Sequence, residues 1–182
     1  MDNITLRPVT RRDVSRIRDW LNDTKISDSW LGRYSYGDPI HLAYNPRSID
    51  NISQEKWESI FNDPKHIIYS IYDLEDLHVG EIHIAIDQDL GDAQVSILIA
   101  DTSKWHQGLG TASIHAVLKL SFGELGLYRV WIDIPEFNQP AIDMFDKIGF
   151  IHEGSLRKRR PHLGARSDIV IMGLLESEYN PK

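Results

Sequence analysis

A short glycine-containing stretch constrains this chain more than any other feature. The stretch, Trp105-His106-Gln107-Gly108-Leu109-Gly110-Thr111, follows an apolar run over 95–100, and apolar residues then recur at helical spacing from Ile114 to Leu125. A strand, a tight turn and a helix start form a backbone cradle for phosphate, because glycine lets the main chain approach a ligand and the helix start offers unpaired N–H groups. Gly-x-Gly alone is a weak motif, so the surrounding sequence must identify the ligand.

Length and composition are typical of a single globular domain. The 182 residues are enough for a full hydrophobic core, and we interpret 1–182 as one α/β domain. The chain has no cysteine, which excludes disulfides, thiolate metal sites and a cysteine nucleophile. The first residues lack an apolar signal core, and no apolar run approaches the roughly 18 residues of a membrane span. We therefore expect a cytoplasmic protein without a membrane partner, and the net charge of −7 argues against general nucleic-acid binding.

Caps, breakers and periodicity divide the chain into predicted elements. Thr10 and Ser53 are plausible N-caps of two helices, separated by an irregular segment over 22–52. Pro140 and Gly149 bracket another helix over 139–148, which follows the helix after the glycine stretch. The three predicted strands over 66–73, 79–86 and 92–101 are joined too closely for a crossover, so they should pair antiparallel. Further strands are predicted near residues 4–6 and over 129–134, 150–156 and 168–175.

Several separated motifs occur in a consistent order along nearly the whole chain. They are Thr5–Val9, Trp20–Asn22, Gly108–Thr111, Leu127–Val130, Asn138–Ile142, Lys147–Phe150 and Glu153–Arg157. Together they resemble the GNAT superfamily of acyl-CoA-dependent N-acetyltransferases. Trp105 stands three residues before the first glycine, where the general pattern has Arg or Gln, and this is similar to the RimJ/RimL-like branch. Gln107 stands where a lysine is frequent, so we expect the loop to bind phosphate chiefly through backbone N–H groups.

The resemblance implies the fold and the co-substrate. The GNAT fold is a mixed, mostly antiparallel sheet flanked by helices and splayed apart between the strands at 95–100 and 129–134. Acetyl-CoA would lie in the splay, with its pantetheine arm on the strand backbone and on an asparagine amide, and its pyrophosphate on the glycine loop. The implied cofactor-binding residues are Ile97, Ile99, Gln107, Gly108, Leu109, Gly110, Thr111 and Asn138. The alternatives are core packing for the two isoleucines and a helix cap alone for Asn138.

The catalytic residues are less well marked. Acetyl transfer needs a group that takes the proton of the amine, and the departing thiolate benefits from a proton donor. Many GNAT members supply that donor as a tyrosine, but the matching residue here is Phe145, which has no proton to give. Gln94 stands where some members carry a glutamate base. On the neighbouring strand, Glu81 and His83 share one face and are our candidates for the base or proton relay, with a solvated strand face as the alternative.

Two further groups of residues have weaker interpretations. By family analogy, an aromatic segment would cover the acceptor side of the splay and suit an ammonium group; its alternative is a loop packed on the sheet by its own aromatics. It contains Trp30, Tyr34, Tyr36 and Tyr44, with Asp28 and Asp38 nearby. The basic cluster of Arg157–Arg160 and Arg166 is interpreted as a solvated hairpin, with an RNA contact as the alternative.

The sequence therefore indicates an enzyme that transfers acetyl from acetyl-CoA to a primary amine. The acceptor is a protein N-terminus or a small amine such as a polyamine or an aminoglycoside. The alternative is an acyl-CoA-binding protein with little or no catalysis, which Phe145 and Gln94 keep open. The eight histidines show no metal-ligand spacing, so no metal is expected. Members of the family are often dimers, which makes a homodimer one of the expected assemblies.

Overall fold

The helices begin and end where the sequence has their caps and breakers. The computed structural model describes residues 3–24, 26, 44–46, 49, 52–162 and 164–180. In it, the Thr10 side chain forms a capping box with Asp13. Ser53 accepts the Lys56 N–H, and Gly149 ends a helix at φ 117°. The predicted caps are thus confirmed. Within the described residues, the α-helices of eight or more residues are α1 (Arg11–Trp20), α2 (Gln54–Phe61), α3 (Leu109–Lys119, continued by a π turn over Leu120–Glu124) and α4 (Gln139–Ile148).

Seven strands form one mixed sheet. Their bounds are β1 (Ile4–Pro8), β2 (His66–Asp73), β3 (His78–Asp87), β4 (Asp92–Ile99), β5 (Arg129–Pro135), β6 (Ile151–His162) and β7 (Ala165–Leu175). The strand order is β1-β2-β3-β4-β5-β7-β6, and every neighbouring pair is antiparallel except β4 and β5. The antiparallel pairing predicted for the three strands between 66 and 101 is confirmed.

The sheet opens between β4 and β5, its two parallel strands. Their ladder contains only Asp92–Gln94 of β4 and Arg129–Trp131 of β5. The remaining residues, 95–99 and 132–135, do not pair with each other, so the two strands present backbone edges to the space between them. This is the predicted splay.

The two faces of the sheet have different coverings. On one face, Ile82 and Ile84 of β3 belong to the main core together with Ile114 and Val117 of α3. On the opposite face, Leu98 packs with α1, and Ile68 belongs to a third cluster against which α2 packs. We call the face covered by α1 and α2 the α1/α2 face. Because both faces are covered, the odd-numbered and the even-numbered residues at the start of β3 are both buried.

The β6–β7 hairpin is longer than the sequence pattern predicts. We expected strands over 150–156 and 168–175 around a basic loop, yet β6 continues to His162 and β7 begins at Ala165. The register shifts between Leu156 and Arg160, and the Arg166 side chain donates to the carbonyls of Lys158 and Arg159 at 2.9 and 3.4 Å. These contacts absorb the bulge, so pairing continues through residues that local propensity assigns to a loop.

None of the helices within the described residues is long and apolar enough to cross a membrane.

Candidate active site

The glycine loop ends in a helix start that has no side-chain cap. Gly108 is the N-cap of α3 at φ 81°, a conformation that favours glycine, and His106 also has a positive φ of 63°. A Cβ at Gly108 would meet only the Asn3 Nδ2 atom within 4 Å, at 3.9 Å. The structure therefore leaves room beside Gly108, and the first N–H groups of α3, which no side chain caps, are suited to an anion.

Two side chains of this loop bond to nearby main-chain carbonyls. The Trp105 indole N–H donates to the Ile99 carbonyl at 2.8 Å, and the Gln107 amide donates to the Ser103 carbonyl at 3.0 Å. Lys104, beside the loop, forms ion pairs with Asp73 and Glu75. The ammonium group of Lys104 is held by these carboxylates, and its hydrogen bond to Asp73 raises the pKa of Lys104. The loop consequently offers its main chain rather than a cationic side chain to a ligand.

Alternate residues of β4 direct their backbone groups into the splay. The Ala100 N–H bonds to the Val79 carbonyl, which places the bonded positions of β4 on even-numbered residues. In an antiparallel ladder the intervening residues face the other way, so the N–H and C=O groups of Ile97 and Ile99 face β5. The Ile99 carbonyl already accepts the Trp105 indole N–H, whereas Ile97 also lines the splay cavity. This arrangement fits the amides of a pantetheine arm.

A cavity of about 60 Å³ occupies the splay. Asn138 lines it and also caps α4, because its Oδ1 accepts the Ala141 N–H at 3.4 Å. A cap and a ligand contact are therefore compatible at this residue. The apolar lining includes Ile132, Ile134, Ala141, Met144 and Phe145, and the polar lining consists of Ser96, Asp133, Asn138 and Arg160.

Phe145 occupies the place where a proton donor would stand in many relatives. Its ring is 1 % exposed, lines the cavity and packs edge-to-face on Phe150 at 4.9 Å. Three tyrosines that could be considered as substitute donors lie elsewhere. Tyr128 is 62 % exposed just before β5, Tyr72 donates to Asp13 at 2.7 Å, and Tyr69 packs against the main core. The described residues lining the cavity include no tyrosine.

A polar bridge crosses the base of the splay, and sequence reasoning missed it. Gln94 of β4 donates to Asp133 Oδ1, and Arg160 of β6 donates to Asp133 Oδ2, both at 2.8 Å. The guanidinium of Arg160 is buried, so the interpretation of the basic cluster as a solvated hairpin is wrong for this residue. The one available signal was Asp133, a charge between Ile132 and Ile134 in an apolar strand. Nothing in the sequence distinguishes Arg160 from its basic neighbours.

The predicted pair Glu81 and His83 lies on the α1/α2 face and is buried. Glu81 is 0 % exposed, His83 is 5 % exposed, and His83 Nε2 lies 2.9 Å from Glu81 Oε1. The Tyr44 hydroxyl donates to the other oxygen, Oε2, at 2.6 Å. The alternative of a solvated strand face is therefore wrong, because α1, α2 and Tyr44 cover this side of the sheet.

These polar side chains form one strip across the α1/α2 face. His83 and Ser96 are register partners on β3 and β4 and therefore share a face, and Gln94 follows with the same alternation. Trp131 of β5 is the register partner of Gln94 and therefore shares its face. Asp133, two residues further along β5, points to the same face and continues the strip. Ser96 lines both the splay cavity and a second, smaller cavity that contains His83. The strip thus connects the buried Glu81–His83 pair to the open splay.

Most of the predicted acceptor segment lies outside the described residues. Trp30, Tyr34, Tyr36, Asp28 and Asp38 belong to this part of the chain. Tyr44 is described, and it packs under the sheet against Phe61 at 5.1 Å. For this residue the packing alternative holds. Within the described ranges, no group of three or more His, Asp or Glu residues is arranged to hold a metal ion.

Comparison with known proteins identifies a family for this chain. The family model described as acetyltransferase (GNAT) domain matches residues 3–151. The spermidine N(1)-acetyltransferase of Vibrio cholerae is 26% identical over 97% of this chain and 95% of its own length. The aminoglycoside N(6')-acetyltransferase type 1 of Klebsiella pneumoniae is 26% identical over 85% of this chain and 77% of its length.

A solved structure shares the fold. The spermidine N-acetyltransferase from Vibrio cholerae in complex with CoA and spermine superposes with a TM-score of 0.77 at 22% identity, covering 98% of this chain and 99% of that one. This likeness extends over the whole seven-stranded sheet and its helices.

Proposed function

Since the chain belongs to the acetyltransferase (GNAT) domain family and is an N-acetyltransferase, we propose that it acetylates the primary amine of a small acceptor in the splay. One observation carries the proposal: the β4 edge is open beyond Gln94, directly before a glycine loop whose helix has no side-chain cap. An open strand edge suits an amide-bearing arm, and an uncapped helix start suits a pyrophosphate. Acetyl-CoA has both groups in this order.

The proposed binding mode uses main-chain groups for most of its contacts. The N–H and C=O groups of Ile97 and the N–H of Ile99 would bond the pantetheine amides. The backbone of Gln107–Thr111 would hold the pyrophosphate, and the amide of Asn138 would reach the pantetheine arm. Support comes from the register of β4, the positive φ of Gly108 and the place of Asn138 in the cavity lining.

His83 and Glu81 are proposed to take the proton of the amine. The amine nitrogen attacks the thioester carbon, the C–N bond forms, the C–S bond breaks, and the proton of the amine must leave. Ser96 stands between the cavity and His83, so its hydroxyl or a water could pass the proton to the imidazole. Glu81 would then face an imidazolium at 2.9 Å. Asp133 is less suited to this role, because both of its oxygens already accept hydrogen bonds from Gln94 and Arg160.

The leaving thiolate is proposed to depart without a tyrosine acid. Phe145 offers no proton, and the cavity lining has none from any other tyrosine within the described residues. The sulfur would therefore leave as a thiolate and take its proton from water. We expect this step to limit turnover more than in relatives that have a phenol at this place.

A small amine is the proposed acceptor class. The two relatives compared above are named for acetylation of spermidine and of aminoglycosides, both of which are small amines. The polar strip, on the α1/α2 face beside the splay, carries the two carboxylates of Asp133 and Glu81. A screen that measures CoA release with spermidine, an aminoglycoside and short peptides with free N-termini tests this choice. Preference for the peptides would move the assignment to protein N-termini.

Calorimetric titration with acetyl-CoA is the first test of the site. We expect Gly108→Glu to abolish binding, since a carboxylate would occupy the space intended for phosphate. Gly126→Glu is the matched control, because Gly126 also has a positive φ of 63° and lies beyond the opposite end of α3. Retained binding in Gly108→Glu would contradict the proposed loop contact, and equal loss in both variants would assign the loss to backbone strain rather than to the loop. Steady CoA release with any amine would exclude the alternative of a binding protein without catalysis.

Substitution of the two relay residues tests the proton route. We expect His83→Gln and Glu81→Gln to lower kcat by about 10²-fold or more, the usual contribution of a positioned base. Acetyl-CoA affinity should stay the same, because neither residue lies on the proposed cofactor path. Wild-type kinetics across the pH range in both variants would remove the pair from the mechanism.

A further inference from the structure

Tyr44 is a buried tyrosine whose hydroxyl is committed to the Glu81–His83 pair. It donates to Glu81 Oε2 at 2.6 Å, while His83 Nε2 lies 2.9 Å from Glu81 Oε1. One buried carboxylate is thus held at both oxygens, by a phenol on one side and an imidazole on the other. Tyr44 comes from outside the regular elements and was not among the residues expected to take part in proton transfer.

We infer that Tyr44 is a positioning residue of the transferase, which acts through Glu81 to set the tautomer of His83 and the pH at which the pair takes up a proton. This inference rests on the proposed route of the amine proton through His83. It adds a third member to that route, one that touches neither substrate nor cofactor.

The hydrogen-bond pattern determines the tautomer. An ionised carboxylate only accepts hydrogen bonds, so the Nε2 atom of His83 carries the proton that bonds to Glu81 Oε1. The Nδ1 atom is then the accepting atom of the ring. A protonated Glu81 would instead donate to Nε2. The ring proton would then sit on Nδ1, and Nδ1 would no longer accept a proton from the splay. By donating to Oε2, Tyr44 stabilises the ionised form of Glu81 and with it the useful tautomer of His83.

Tyr44 is not suited to be an acid itself. Burial raises the pKa of Tyr44 well above its ordinary value, and the nearby charge of Glu81 raises it further. Its hydroxyl points at a carboxylate rather than at the splay cavity. Its effect on the reaction must therefore pass through Glu81.

The surroundings of the pair allow a clean substitution. The Tyr44 ring packs on Phe61 at 5.1 Å and stacks on His83 at 5.9 Å, contacts that a phenylalanine ring would keep. Other titratable groups near the three residues are Asp13 of α1, His78 at the start of β3, and His66, which shares the smaller cavity with His83. None of these would be changed by the loss of one hydroxyl.

The experiment compares Tyr44→Phe with Tyr72→Phe. Tyr72 also donates to a buried carboxylate of the α1/α2 face, Asp13, at 2.7 Å, so both variants lose the same kind of hydrogen bond. We expect Tyr44→Phe to move the acidic limb of kcat/KM to higher pH by about one unit, because the buried carboxylate loses a donor to its charged form. Affinity for acetyl-CoA should not change. Tyr72→Phe should leave the pH profile where it is.

A second measurement is independent of turnover. The ¹⁵N shifts of the histidine rings report tautomer and protonation directly, with the His83 signals assigned through His83→Gln. We expect wild-type His83 to carry its neutral-state proton on Nε2, and the pH of its protonation to rise in Tyr44→Phe but not in Tyr72→Phe. An unchanged His83 titration in Tyr44→Phe, or the same change in both variants, would overturn the inference. Absence of turnover in the wild type with a shifted His83 titration would instead count against the proposed function alone.

Discussion

Asp133 and Glu81 are carboxylates on the same face of the sheet, yet their partners give them different chemistry. Asp133 accepts from the guanidinium of Arg160 and from the amide of Gln94. Glu81 accepts from Tyr44 and pairs with His83, whose imidazole is a group that can act as a general base. The partners of the two carboxylates therefore make Asp133 part of a structural bridge and Glu81 part of a candidate proton relay.

Phe145→Tyr tests whether the missing acid limits the reaction. Phe145 lies on α4 and lines the splay cavity, at the place where many GNAT members carry a tyrosine. We expect kcat to rise by about tenfold, less than the 10²–10⁴-fold of an evolved acid, since the hydroxyl would have no supporting partners. Steady-state kinetics would measure it, with Phe150→Tyr as a control for an added buried hydroxyl outside the cavity lining. An unchanged kcat would mean that thiolate protonation does not limit turnover.

Asp13 gives a prediction for stability against pH. Burial raises the pKa of Asp13, but hydrogen bonds from Tyr72 and Thr10 outweigh it and hold that pKa below its ordinary value. A depressed folded-state pKa stabilises the fold above the unfolded-state value of about 3.9, and the stabilisation is lost as pH falls through the folded-state pKa. We expect Asp13→Asn to cost about 1–2 kcal/mol at pH 7 and to weaken the pH dependence below pH 4. Urea unfolding at pH 7 and pH 3 would measure both effects. If the free energy of unfolding changed with pH in Asp13→Asn as much as in the wild type, this account would be contradicted.

At the scale of elements, the glycine loop is attached to the strand that precedes it. The Trp105 indole N–H bonds to the last carbonyl of β4, that of Ile99, and the loop then turns through His106 and Gly108 into α3. Trp105 thus connects the proposed pyrophosphate loop to the proposed pantetheine strand. A shift of one part would move the other.

Trp105→Phe tests this attachment. The variant keeps an aromatic ring but loses the hydrogen bond to Ile99, a loss worth about 1 kcal/mol. We expect acetyl-CoA to bind about fivefold more weakly, with little change in thermal stability. Calorimetry would measure it, and Trp57→Phe in α2, on the α1/α2 face of the sheet, provides the control. Equal affinity in Trp105→Phe and wild type would show that the loop holds its conformation without the indole.

Local signals explain which elements could be predicted. α4 was predicted over 139–148 and is Gln139–Ile148, because Pro140 and Gly149 mark both of its ends. The hairpin was predicted too short, because residues 157–162 carry no strand pattern and pair only through contacts such as Arg166 to Lys158. Caps lie within one turn of the helix they end, whereas strand pairing depends on residues elsewhere in the chain.

At the scale of the whole molecule, positive charge is concentrated beside the splay of an acidic protein. The hairpin reaches past Pro135, the last residue of β5 to pair with β7, and exposes Arg157, Lys158, Arg159 and Arg166. The net charge of the chain is −7, so this region is locally opposite to the rest. Such a field repels a polycation more than a monoamine.

The single domain over 1–182 and the homodimer expected from the sequence both stay predictions.

Charge reversal on the hairpin tests its effect on acceptor choice. We expect Arg157→Glu combined with Arg159→Glu to raise kcat/KM for spermidine relative to a monoamine by about threefold or more at low salt. The gain should shrink above 0.1 M salt, where the screening length falls to about 10 Å. Lys119→Glu with Lys147→Glu, at the ends of α3 and α4, makes the same change in net charge elsewhere. A similar gain in that control would assign the effect to net charge rather than to the hairpin.

Local sequence was sufficient for the helices, most strand positions and the glycine loop, since periodicity, caps and glycine act over a few residues. The family resemblance added the splay. Tertiary structure alone decided the partners on the α1/α2 face: Tyr44 with Glu81, and Arg160 with Asp133. These residues are tens of positions apart, and their contacts depend on strand register and on the helices that cover the face. Burial then makes each such hydrogen bond consequential, because a buried charge without a partner is costly.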